Sequence, residues 1–340
     1  MREVFDMGMA GELREAPNAV HAQAGLLAEP VAELVTRLHF WPPSVVVTCA
    51  RGSSAHAARF AKHLIECYLG IPVAEAAPSV ASIYRRKLNL EGQLFLAVSQ
   101  SGCSDDLVAN AVMAREAGAL TAALVNDTGS PLAASCEIVL PMGAGPEHGI
   151  AATKSFVASL TALSRLVADW TENHDLAAAI ERLPERLARA GALDWSAAME
   201  PIAAAPSLIA IGRGPTLAIA REAALKLQEI VNRHAEAFSG AEFLHGPVAL
   251  VETRCPILAL LPTDAAGAGM RALVHDLAVK GATVLAACPD GALPVLAPDH
   301  PATDAVCLIQ AFYAMLIRLA ARLDIDPDRP RHLRKITSTR

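Results

Sequence analysis

Four ionisable side chains, Glu222, Lys226, Glu229 and Arg233, are set among Ala, Leu and Ile in one stretch of the chain. From Thr216 to Arg233 there is neither Gly nor Pro, which predicts a helix of about four to five turns opened by Gly214-Pro215. At i, i+4, i+7 and i+11 the four groups share one stripe of that helix. On a solvated face such a stripe would be an ordinary ion pair worth roughly 0.2 to 0.5 kcal/mol. Here both flanks are apolar, and the helix runs into His234-Ala235-Glu236 and then an expected small-residue loop ending in His245-Gly246-Pro247. Partly buried carboxylates next to other charges are suited to proton transfer, because burial and neighbouring charge move a Glu pKa toward neutral pH.

A second chemical pattern is Ser99-Gln100-Ser101-Gly102-Cys103-Ser104, which follows the apolar run Gln93 to Val98 and precedes a helix to about Ala117. Hydroxyls and backbone N–H groups at a helix start can hold phosphate. A Ser-rich turn also forms for its own hydrogen bonds, so the pattern alone is weak. Its chemistry is repeated at Gly52-Ser53-Ser54, after the β-branched run Ser44 to Cys49 and before a helix through Leu69.

The elements that position these groups recur. After helices over residues 1–42, with Pro17 and Pro30 as starts or breaks, come strands at Ser44 to Cys49, Gln93 to Val98, Leu120 to Val125 and Ile138 to Leu140, then a helix from Thr153 to Trp170. About 162 residues later the order returns: Pro206 to Gly214 matches Pro43 to Gly52, with Arg213-Gly214 set against Arg51-Gly52, Cys255 to Leu261 matches the second strand, and Asp304 to Leu323 closes the copy. The fold class expected is α/β, two tandem doubly wound parallel sheets with an N-terminal helical arm. Its segments are 1–42, 43–174, a helical linker 175–200, 201–327 and a tail 328–340. The copies differ: Pro262-Thr263-Asp264 stands in copy two where copy one has its Ser turn, and Pro lacks a donor while Asp repels an anion. One phosphate site, in copy one, is expected, with the acid/base helix supplied by copy two.

Composition bounds the function. The 340 residues are 53% hydrophobic and only 4% aromatic, with a net charge of −6, and the pI is 6.0. These values argue against general affinity for nucleic acid or anionic membranes. Seven singly placed cysteines indicate neither disulfides nor a zinc site, so no metal and no cofactor is expected, and reduced cytoplasm is the natural compartment. Glu3, Asp6, Glu12 and Glu15 argue against a signal peptide, and Ala305 to Ile317 reads as too short to span a bilayer.

Together the motifs resemble the sugar-isomerase half of glucosamine-6-phosphate synthase and its stand-alone relatives, amino-sugar-phosphate deaminases built from two SIS domains. The resemblance runs from about residue 40 to 335. It implies that Glu229 shuttles a proton between sugar C1 and C2, with Lys226 and Glu222 beside it, and that His245 assists ring opening. Ser99, Ser101 and Ser104 become phosphate ligands with Gly52, Ser53, Ser54 and Gln100 nearby. Gly149 to Lys154 resembles the stretch lining the sugar, giving Ile150, Ala151 and Thr153, although Ala152 replaces a family Ser. Pro330-Arg331-His332-Leu333-Arg334-Lys335 resembles the family's C-terminal P-R-x-L-x-K, whose Lys, here Lys335, closes over the open-chain sugar. The resemblance also implies a homodimer in which His245 serves the neighbouring subunit's site.

Only about 40 residues precede the first strand, which leaves no room for the synthase's glutamine-hydrolysing domain. The expected reaction is therefore release of ammonia from a phosphorylated amino sugar, as in a glucosamine-6-phosphate deaminase. A fructosamine-6-phosphate deglycase, a galactosamine-6-phosphate deaminase/isomerase, plain aldose–ketose isomerisation and a non-catalytic sugar-phosphate-binding regulator are the alternatives.

Overall fold

The computed structural model describes residues 8–251 and 255–335. Helix α1 (Met9–Phe40) runs unbroken through Pro17 and Pro30. This corrects the expectation that these prolines start or break helices. A Pro inside a helix removes one hydrogen bond and crowds the preceding turn. Against that, Leu13, Ala16, Val20, Leu27, Val31, Leu34 and Leu38 bury one face at helical spacing, and their packing holds the helix through both positions.

Packing divides the chain into two compact units. The N-terminal unit comprises Asn18–Glu147, Lys154–Glu181 and Arg334–Arg340; the C-terminal unit comprises Met1–Pro17, His148–Thr153 and Arg182–Leu333.

In the N-terminal unit, β1 (Val46–Ala50), α2 (Gly52–Leu69), β2 (Val73–Glu75), the single turn α3 (Ser79–Ser82), β3 (Leu94–Ser99), α4 (Asp105–Glu116), β4 (Leu120–Val125), α5 (Pro131–Ser135), β5 (Ile138–Pro141) and α6 (Lys154–Trp170) follow in order. The five strands are parallel in the order β2-β1-β3-β4-β5. Every residue of β3 is buried, as a strand covered on both faces by helices requires. Phe95, Ala97 and Val125 pack on α4 through Leu107 and Ala111, while α2 packs on α6. β1 starts two residues into the Ser44 to Cys49 run because the N–H groups of Ser44 and Val45 donate to Gln93 Oε1 instead of a strand partner.

Helix α7 (His174–Ala190) passes from one unit to the other at Arg182. In the C-terminal unit, α8 (Met199–Ala204), β6 (Ser207–Gly212), α9 (Pro215–Val231), β7 (His234–Ser239), the single turn α10 (Gly240–Phe243), β8 (Ile257–Leu260), α11 (Gly267–Val279), β9 (Val284–Ala287) and α12 (Pro301–Arg322) follow. The strands are parallel in the order β7-β6-β8-β9. This repeats the first four places of the other sheet. The tandem doubly wound architecture is therefore present, with a parallel sheet in each unit. In both sheets the second strand turns to one side of the first and the third to the other, which makes a topological switch point beyond the carboxyl ends of β1 and β3 and of β6 and β8.

Segment 234–239 is a strand that extends into the expected loop: it pairs with β6 from Ser207↔His234 to Gly212↔Ser239. Its His-Ala-Glu-Ala sequence carries little strand preference, and pairing at the sheet edge overrides it. α12 begins at Pro301, earlier than expected, and its 22 residues are long and apolar enough to cross a membrane by length and composition. It is a core helix here, with 83% of its most apolar window buried.

Candidate active site

Helix α9 starts at Gly214 (φ 57°) and Pro215, as its sequence predicts. It ends at Val231, because Asn232 takes the left-handed conformation (φ 53°) and the N–H groups of Asn232 and Arg233 both turn back to Leu227 O. Arg233 thereby leaves the stripe. Its Nη2 donates to Ala203 O at 2.7 Å, which corrects its placement beside the two carboxylates.

The remaining three groups form a compact array. Lys226 Nζ lies 2.5 Å from Glu229 Oε2 and 3.4 Å from Glu222 Oε1. Tyr313 of α12 donates its hydroxyl to Glu222 Oε1 at 3.0 Å. Lys226 and Glu222 are 1% and 0% exposed, whereas Glu229 is 20% exposed. Burial works to lower the Lys226 pKa, but the two carboxylates outweigh it and hold the ammonium above its ordinary value. Lys226 is therefore a fixed cation between two anions. Glu229 is the member that another molecule can reach, and its Oε1 takes no hydrogen bond among the described residues. A carboxylate pinned through one oxygen with the other available can accept a proton and return it to a neighbouring atom.

His245 follows α10 on an exposed turn, and its own N–H donates to Glu242 O at 3.0 Å. Among the described residues its imidazole makes no hydrogen bond in its own chain, and the end of α9 is capped without it. Leu244 and Leu250 on either side are 50% and 54% exposed.

In the N-terminal unit, register places Ala50 beside Val98, so the turns after β1 and β3 emerge side by side at the switch point. Arg51 bridges them, with Nε and Nη2 at 2.9 and 2.6 Å from Asp106 Oδ2. Ser53 and Ser54 occupy the first turn of α2, behind Gly52 at φ 51°. Ser99 Oγ accepts from Gly102 N at 3.1 Å and Ser101 Oγ from Cys103 N at 3.3 Å, so both hydroxyls also shape the turn. Ser104 stands at the start of α4 without capping it through its side chain. Gly102 has φ 62°, and a Cβ there would lie 2.0 Å from Ser130 Oγ, so the turn requires glycine. Gln100 O accepts from Asn126 N, tying the turn to the end of β4.

At the corresponding turn of the C-terminal unit the groups are already engaged. Thr263 Oγ1 donates to Asp304 Oδ2 at 2.7 Å, and Asp264 Oδ1 accepts from Ala266 N at 2.9 Å.

Lys335 lies against Glu147, Nζ to Oε2 at 3.0 Å. Glu147 is fully buried and accepts from both N–H and Oγ of Ser155 in the first turn of α6, at 2.9 and 2.7 Å. The stretch expected to line a sugar is split by packing: Ile150, Ala151 and Thr153 belong to the C-terminal unit, Lys154 to the N-terminal one. Glu12 of α1 holds the former part, its Oε1 accepting from His148 N and from Gly149 N.

The SIS domain family matches residues 40–168 and 202–300, one segment for each sheet. The chain belongs to the SIS domain family. Glutamine--fructose-6-phosphate aminotransferase [isomerizing] of Methanothermobacter thermautotrophicus is 32% identical over 97% of this SIS protein, which spans 57% of that relative's length. Among solved structures, a candidate phosphosugar isomerase from Silicibacter pomeroyi DSS-3 is 44% identical with a TM-score of 0.91, covering 94% of this chain and 99% of that one. The C-terminal domain of glucosamine-fructose-6-phosphate aminotransferase from Francisella tularensis is 25% identical with a TM-score of 0.83, covering 95% and 98%.

Four groups of this SIS chain were not singled out by sequence reasoning for the site: Tyr313, Glu147, Glu12 and the Arg51–Asp106 pair. No spacing rule marks them, since each acts on a partner between 55 and 188 residues distant. The one usable signal was polarity inside apolar runs, as at Tyr313 among Ala, Phe, Met and Leu of α12.

Proposed function

We propose that this SIS protein is an isomerising glucosamine-6-phosphate deaminase, converting glucosamine 6-phosphate and water to fructose 6-phosphate and ammonia. The observation that carries the reading is the α9 array: one partly exposed carboxylate, Glu229, fixed by the buried Lys226 ammonium. In the open-chain amino aldehyde, Glu229 takes the C2 proton while O1 takes up a proton, giving an enolamine, and then returns its proton to C1 as the nitrogen gives one up. C1 is then a hydroxymethyl carbon and C2 a ketimine, which water hydrolyses to the ketone with loss of ammonia. Lys226 stays protonated throughout and offsets the negative charge that Glu229 carries before and after the transfer. The hydroxyls and N–H groups of Ser99 to Ser104 and Gly52 to Ser54 hold the phosphate, and Lys335 assists ring opening.

The reading draws support from relatives whose names couple fructose 6-phosphate with amination, because the same C1–C2 proton transfer serves both directions. Those names favour, as a second reading, the amination of fructose 6-phosphate when ammonia is supplied. Incubating the purified chain with glucosamine 6-phosphate and measuring ammonia and fructose 6-phosphate tests the proposal. Turnover of fructosamine 6-phosphate or galactosamine 6-phosphate alone would shift the substrate assignment. Binding without turnover of any of them would make the chain a sugar-phosphate-binding regulator.

The proposal includes a homodimer in which His245 completes the partner's site. An exposed imidazole with no hydrogen bond in its own chain among the described residues, flanked by exposed Leu244 and Leu250, is what such an arrangement requires. Mixing inactive Glu229→Gln and His245→Ala chains with subunit exchange should restore activity toward half of wild type per mixed dimer. A mixture that stays inactive would assign His245 to its own subunit.

A further inference from the structure

Beyond the carboxyl ends of β8 and β9 lies a cavity of about 150 Å³ whose walls all belong to the C-terminal unit. Thr216 at the start of α9 and the Leu261-Pro262-Thr263 turn after β8 line it, which puts it at that sheet's own switch point. In open α/β sheets this is where ligands enter. Its walls are chiefly apolar, with Val295, Leu308 and Ala311 on one side.

Two observations point to a ligand carrying negative charge. Arg186 lines the cavity and puts a guanidinium in its wall, with Nη2 bonded to Asp304 Oδ1 at 2.6 Å and to Ala297 O at 3.0 Å. Arg271, also in the wall, pairs with no carboxylate among the described residues. Its guanidinium folds back over the start of α11, where a Cβ on Gly267 would lie 3.4 Å from Nη1.

The same surroundings disfavour phosphate. Pro262 supplies no N–H, and the Asp304 carboxylate in the wall is balanced by one guanidinium only, so a dianion would meet repulsion. A cavity of about 150 Å³ takes a body of roughly benzene size.

We propose that this cavity is a second ligand site, distinct from the sugar-phosphate groups, which binds a small monocarboxylate with an apolar body of about one six-membered ring. The carboxylate pairs with Arg271, while the body lies against Val295, Leu308 and Ala311. The proposal does not rest on the deaminase reading, because binding can be measured without turnover.

The test is calorimetric titration of the full chain with benzoate, and with benzamide as its uncharged counterpart. Wild type should bind benzoate saturably, and benzamide at least about tenfold more weakly, since a charge-assisted pair is lost. Arg271→Gln, on the exposed face of α11, should keep the native circular dichroism and lose at least about tenfold in benzoate affinity. Ala311→Phe, which puts a ring into the cavity, should abolish binding. Benzoate should bind equally in the presence of saturating glucose 6-phosphate. Absence of saturable benzoate binding, equal affinity in wild type and Arg271→Gln, or competition by the sugar phosphate would each overturn the assignment.

Discussion

Beyond β3, Ser99, Ser101 and Ser104 with Gly102 open helix α4; beyond β8, Pro262, Thr263 and Asp264 open helix α11. The two places are equivalent by strand order and opposite in chemistry. At the first, a left-handed glycine lets the backbone turn tightly, and Arg51 neutralises Asp106 in the first turn of α4. At the second, the Thr hydroxyl is spent on Asp304, and Asp264 closes its own turn. Topology thus offers two entrances of equal standing, and under the proposed function their side chains decide which accepts a hydrophilic anion. The helix after the first strand shows the reverse asymmetry: α9 carries the buried Glu222–Lys226–Glu229 array, while the Lys62–Glu66 pair of α2 is exposed.

The contrast predicts a division between catalysis and binding. Glu229→Gln keeps the shape of α9 and removes the proton carrier, so kcat should fall roughly 10²- to 10⁴-fold with KM little changed. Activity within about threefold of wild type would move the base elsewhere and dissolve the comparison.

Lys226→Met should cost about 3 to 5 kcal/mol in denaturant unfolding, because it leaves the buried Glu222 carboxylate without its cation. Adding Glu222→Gln should recover much of that loss. Because the folded pKa of Lys226 is raised, its contribution is full below the ordinary lysine range and fades only as pH rises through the folded value. The cost of Lys226→Met should therefore stay level from neutral pH to about pH 10.

Smaller and more selective is the effect at the entrances themselves. Ser101→Ala or Ser104→Ala should raise KM for the phosphorylated sugar by about tenfold with kcat nearly kept, since ground-state and transition-state binding are lost alike. Thr263→Ala should leave KM where it is. Equal shifts at both turns would show that the two entrances are alike in function.

The repeat and its strands are legible because a fully buried parallel strand is a continuous apolar run, as in Leu94 to Val98 and Ile257 to Leu260. The edge strands β2 and β7 are not, because one side of each lacks a neighbouring strand and their residues are mostly Ala, Glu and Ser. The acid/base stripe is legible to Glu229 and fails at Arg233, where one left-handed Asn ends the helix two residues early. Which polar group reaches Glu222 or Lys335 depends on contacts that no local pattern encodes, hence Tyr313 and Glu147 emerge only in three dimensions.

The polypeptide passes between its two compact units at five junctions, after Pro17, Glu147, Thr153, Glu181 and Leu333. A gene divided at the sequence repeat would therefore encode two incomplete bodies. The C-terminal fragment would lack the Leu13 carbonyl that Gln310 bonds at 2.9 Å and the Glu12 carboxylate; the N-terminal one would lack Lys335, leaving buried Glu147 without its cation. Limited proteolysis in the α7 region should then release no autonomous half, and the fragments should regain structure only when mixed.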